Sequence, residues 1–72
     1  MGLRFSRHAR NRMRALGLKQ DEIEQIVWEG GSIGQDRDGR ERYEGEIDGF
    51  TVRVVVAVDR PELVVTVYRR SR

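Results

Sequence analysis

The sequence predicts an α+β fold: a short N-terminal strand, two helices, then a three-stranded antiparallel meander with the helices on one sheet face (β-α-α-β-β-β). Three observations predict it. Apolar residues recur at helical spacing through the first half and alternate in the second. Gly17 and Gly30-Gly31 stop two helical stretches. Asp48-Gly49 sits between alternating stretches, the strongest short hairpin signal because a type I′ turn needs positive φ at both positions.

The elements follow in order. Leu3-Arg4-Phe5 reads as a short extended start. Ser6 is a favoured N-cap, and Ala9, Met13 and Leu16 form the apolar stripe of a helix over residues 7–16. A second helix covers residues 20–29, with Asp21 and Glu22 in the first turn, where the helix dipole favours acids. Ile23, Ile26 and Val27 are its buried stripe. Trp28 lies outside that stripe and reads as a core or edge packer, or else as part of a partner interface. Residues 32–39 are polar and glycine-rich, which predicts a flexible loop. Arg40 to Ile47, Phe50 to Asp59 and Leu63 to Arg70 are the three strands, with a four-residue turn at 59–62.

Register follows from the turns. The Asp48-Gly49 turn pairs Ile47 with Phe50, Gly45 with Val52, and Tyr43 with Val54. The 59–62 turn pairs Val58 with Leu63, Val56 with Val65, and Val54 with Val67. All of these point to the helical layer. The opposite face collects Arg40, Arg42, Glu44, Arg53, Val55, Thr66, Tyr68 and Arg70, with Arg53 between Glu44 and Tyr68. A basic, tyrosine-bearing open face suits phosphate binding and base stacking.

Size and composition bound the function. The 72 residues form one domain, 1–72, and a chain this short buries only about 60% of its unfolded surface. A surface site is therefore expected over a deep cavity. The absence of cysteine excludes disulfides and thiolate metal sites, and one histidine leaves no classical zinc set, so neither metal nor cofactor is expected. No signal-peptide core and no run of roughly 20 apolar residues is visible, which points to the cytoplasm and away from a membrane. Walker, G-x-S-x-G, H-E-x-x-H and dinucleotide fingerprints are lacking. Charge is segregated: residues 1–14 carry Arg4, Arg7, Arg10, Arg12 and Arg14 with no acid, and Arg69, Arg70 and Arg72 close the chain. Residues 19–48 hold ten acids against four basic groups. Thirteen of the fourteen Lys and Arg are arginine, whose planar fork matches phosphate; genome composition explains such an excess equally well.

Four pieces in order resemble one bacterial family, the domain-of-unknown-function family four-two-five-eight. They are the Phe5-Ser6-Arg7-His8-Ala9-Arg10-Asn11-Arg12-Met13 opening, the Gly17-Leu18 break, the Arg42-Tyr43-Glu44-Gly45 strand, and the Val65-Thr66-Val67-Tyr68 strand. The resemblance covers almost the whole chain. It implies the fold of RelE, barnase and related metal-independent ribonucleases, an RNA substrate, association with the ribosome, and an antitoxin partner of the toxin–antitoxin type. Leu16 stands where the family often has arginine, so that arginine's role is absent here.

Such cleavage needs a base for the 2′-hydroxyl proton, cations for the phosphorane and an acid for the leaving oxygen. His8, Glu44 and Tyr68 are the acid–base candidates, and Arg53 is the phosphate clamp. Arg12, four residues after His8, shares its helix face. Arg12, Arg40, Arg42, Thr66 and Arg70 are the RNA-binding candidates. Each has a plainer reading beside it: His8 as a helix-start residue bonded to backbone, Arg12, Arg40, Arg42 and Arg70 as solvated side chains, Arg53 as Glu44's cross-strand partner, Tyr68 as a strand former. A non-catalytic RNA- or protein-binding module is the alternative function, and a domain cut from a larger effector is a third.

Overall fold

Local capping sets the helices. The Ser6 Oγ accepts the Ala9 N–H at 3.0 Å and opens α1 (Arg7–Leu16). Gly17 ends it, and the Leu18 N–H returns to the Met13 carbonyl at 2.8 Å. α2 (Gln20–Glu29) opens with the Lys19 N–H donating to Glu22 Oε1 at 2.9 Å. Both helices have the predicted bounds.

The computed structural model describes residues 2–70. Besides the helices it contains β1 (Arg4–Phe5), β2 (Ser32–Gln35), β3 (Glu41–Ile47), β4 (Phe50–Ala57) and β5 (Arg60–Arg70). The strands form one open mixed sheet in the order β1-β5-β4-β3-β2. β1 runs parallel to β5, and the other pairs are antiparallel. The core is Leu3, Phe5, Ala9, Met13, Ile23 and Ile26 packed on Val52, Val54, Val56, Val64 and Val67. Burying each of these side chains other than that of Ala9 stabilises the fold by roughly 1.5–3 kcal/mol. The helices thus cover one sheet face, as the alternation of β4 predicts. Among the described residues no helix is long and apolar enough to cross a membrane.

The β3–β4 hairpin has the expected register, from Ile47 opposite Phe50 to Arg42 opposite Val55. Asp48 and Gly49 both take positive φ, 53° and 83°. Gly45 is required for another reason. A Cβ there would stand 2.8 Å from Ile26 Cγ1, so its bare backbone lets α2 approach β3.

The β4–β5 turn differs from expectation. It is the two residues Val58-Asp59, with Ala57 opposite Arg60, not a four-residue turn at 59–62. Val54 still pairs with Val67, but register shifts flank Val56 and place it opposite Val64, not Val65. Val64 is therefore fully buried, while Val58, expected in the core, is 61% exposed. Pro61 reads as a turn former, yet it lies in the interrupted stretch of the ladder, where its missing N–H costs little.

Residues 32–39 are also more ordered than the predicted flexible loop. β2 pairs with β3, with a register shift between Ser32 and Gly34. A turn follows, closed by Asp36: its Oδ1 accepts the N–H groups of Asp38 and Arg40, each at 2.9 Å. These backbone bonds pull the Asp36 carboxyl below its ordinary value, with burial opposing. Ser-Ile-Gly-Gln has no alternating pattern, and its extended form comes from pairing with β3.

Candidate nucleic-acid interface

Three cross-strand rows lie on the face away from the helices: Arg42–Val55–Thr66, Glu44–Arg53–Tyr68 and Glu46–Thr51–Arg70. The type I′ hairpin fixes the first pairing in each row and the Val54–Val67 register fixes the second. This is the parity the sequence predicts.

The middle row is a connected unit. Arg53 Nη2 donates to Glu44 Oε2 at 2.7 Å. The Arg53 guanidinium carbon stands 5.9 Å from the Tyr68 ring centroid, at the limit of cation–π range. The Arg53 side chain is 17% exposed and that of Glu44 32%. The Glu44 hydrogen bond, then the Tyr68 hydroxyl, push the guanidinium pKa above its usual value, so the charge is fixed at any working pH. Val55, one row away, is almost fully buried and forms an apolar floor.

Arg42 flanks this unit, and its Nη2 points at the Gln35 carbonyl at 3.5 Å, too long for a strong bond. The Nε atoms of Arg42 and Arg53 are buried without a partner among the described residues. β2 thus borders Arg42 with only this long contact, a neighbour that a loop over residues 32–39 does not predict.

The other candidates sit elsewhere. Arg12 lies at the β5 edge, where its Nε donates to the Val67 carbonyl at 3.3 Å, between Thr66 and Tyr68 in the chain. The Ser6 Oγ donates to the Val65 carbonyl at 2.8 Å on the same edge. His8 is exposed on the flank shared with Arg12, and no hydrogen bond joins it to Glu44, Arg53 or Tyr68 among the described residues. Arg40 is in the turn before β3, not in the strand, and its Nη1 stands 3.4 Å from Asp38 and 3.9 Å from Asp36. Arg70 ends the third row, exposed. Arg72 lies outside the described residues. Trp28 is 59% exposed, outside the core, and lines a shallow groove with Leu3, Val27, Tyr43 and Pro61. The sequence reading misses one stack, Arg69 over Phe50 at 4.3 Å; its signal was the Val54–Val67 register, which sets Arg69 opposite Val52 and diagonal to Phe50.

Fold and site define a class: a small α+β domain whose mixed sheet carries helices on one face and an arginine–carboxylate–tyrosine row on the other. The chain belongs to the DUF4258 family, described as a domain of unknown function, whose model matches residues 5–69. No curated protein and no solved structure matches it.

Proposed function

We propose that the protein is an RNA-directed module of the RelE-like toxin type that engages single-stranded RNA on the open sheet face and cleaves it without a metal. The observation that carries this reading is the Glu44–Arg53–Tyr68 row, a fixed cation between a carboxylate and a phenol. In the proposed reaction the Glu44 carboxylate takes the 2′-hydroxyl proton as that oxygen bonds to phosphorus. The Arg53 fork, with Arg42 beside it, neutralises the crowded phosphorane. The bond from phosphorus to the 5′-oxygen breaks, and Tyr68 gives its proton to that oxygen. Thr66 and the Tyr68 ring hold the neighbouring nucleotide by hydrogen bonding and stacking. His8 and Arg12 line the strand edge beside this path, and Arg40 and Arg70 attract the backbone from its margins. The expected setting is the cytoplasm, near the ribosome, with a neutralising antitoxin protein as partner.

The test is RNA cleavage and growth arrest on expression. Arg53→Lys keeps the charge but loses the fork, and Tyr68→Phe keeps the ring but loses the proton. Both should fold, and both should lose cleavage and toxicity; retention of full activity by the two folded variants rejects the mechanism. His8→Ala decides whether the α1 edge takes part in the chemistry. One observation favours a second reading, binding without cutting: Glu44 is already committed to Arg53 at 2.7 Å. RNA binding with no cleavage at any salt concentration would select it.

A further inference from the structure

The two helices treat their dipoles oppositely. α2 places Asp21 and Glu22 in its first turn, whereas α1 has no acid there and places Arg7 and Arg10 in that turn, with Arg14 near the end. Arg7, Arg10 and Arg14 are spaced three and four apart, so they share one helix face, and all are exposed. None of them has an ion-pair partner among the described residues. Arg7 and Arg10 oppose the dipole and like charges at this spacing repel, so although Arg14 in the last turn suits the dipole, the stripe as a whole works against the helix that carries it.

Beside the stripe lies a shallow groove between α1 and the start of α2. Its floor is Phe5, Met13 and Leu18, and its rim is Arg10, Arg14 and Gln20. Apolar floor and cationic rim match an unstacked base and its flanking phosphates. On its other flank, α1 is tied to the β5 edge by the bond from Arg12 to Val67, next to Thr66 and Tyr68. Helical periodicity sets Arg12 on the β5 side of α1 and the Arg7–Arg10–Arg14 stripe on the far side, so a strand that crosses the β5 edge at Arg12 reaches the stripe by passing over the exposed back of the helix. α2 and the end of β3, by contrast, border a groove whose acids Glu22, Glu29 and Asp48 repel a polyanion.

We infer that α1 is a second RNA-contacting surface: the strand held on the open sheet face continues over the β5 edge onto the Arg7–Arg10–Arg14 stripe, with a base in the Phe5–Met13–Leu18 groove. This rests on the open-face reading above and extends its footprint. The face should act as a sequence-independent phosphate track, with its effect read in affinity and salt dependence.

The experiment titrates a labelled single-stranded RNA of about 12 nucleotides over a range of salt, against the parent, an α1 variant (Arg7→Gln, Arg10→Gln, Arg14→Gln) and Arg53→Lys. The α1 variant should lose affinity on the order of tenfold at moderate salt, with a salt slope shallower by about 2. Its melting temperature should rise, because glutamine keeps the helix and removes the repulsion. An α1 variant that binds like the parent with an unchanged slope, while Arg53→Lys binds weakly, overturns this inference and leaves the open-face reading standing. A parent that does not bind RNA overturns both. Polyglutamate bound as tightly as RNA, and lost in the same α1 variant, overturns the RNA assignment in favour of an acidic protein.

Discussion

Arg53 carries a structural role and, in the proposed reading, a chemical one. It stands in a valine-rich strand, and a largely desolvated cation there needs a partner. Glu44 supplies one at 2.7 Å, and the Tyr68 ring covers the other side. Arg53→Ala leaves Glu44 half-buried and unpaired, so it should cost about 1–3 kcal/mol in denaturant unfolding. Arg53→Lys should cost less, so its functional loss is not a folding loss. Asp36 gives a pH prediction. Its carboxyl is held below the usual range by the Arg40 and Asp38 N–H groups. A depressed folded value means the turn's contribution is present above the ordinary carboxylate pKa and lost as pH falls through the lower, folded one. The protection factors of the Asp38 and Arg40 amides, taken relative to the intrinsic exchange rate at each pH, should therefore fall in acid; protection that is flat with pH would contradict this.

The elements differ in how legible they were. Both helices could be bounded because their ends are written in single residues, Ser6 and Gly17 for α1 and the acidic first turn and Gly30 for α2. The β3–β4 hairpin was legible because Asp48-Gly49 permits one turn geometry and fixes parity. β2 was not, because its extended form depends on a distant partner strand. The β4–β5 turn was misplaced because Pro61 imitates a turn signal while lying in an interrupted ladder. The central row was thus readable from hairpin register, while the distance from His8 to that row was not, since no sequence feature says how α1 lies along β5. Two substitutions check the revised register. Val58→Thr, at an exposed position, should change stability by less than about 0.5 kcal/mol. Val64→Ala empties a buried site and should cost about 1–3 kcal/mol. Gly45→Ala tests the α2–β3 approach and should also cost about 1–3 kcal/mol, because Ile26 must shift.

At the scale of the molecule, charge is divided by surface. The α1 face, the β5 edge and the open sheet rows are arginine-rich, while the groove between α2 and β3 is acidic. A net charge of +2 conceals this division. In the proposed reading such an arrangement orients a polyanion before contact and places the acidic α2–β3 groove away from it. The sheet makes the division possible, since helices on one face leave the other free for Arg42, Arg53 and Tyr68.

The central claim is that RNA lies on the open sheet face across the Glu44–Arg53–Tyr68 row. Chemical-shift mapping of the labelled protein during titration with a short single-stranded RNA tests it most directly. The largest changes should fall on Arg42, Glu44, Arg53, Thr66 and Tyr68, with the α2–β3 groove silent. Unmoved signals in those five residues at saturating RNA, or changes centred on Glu22, Glu29 and Asp48, would contradict the account.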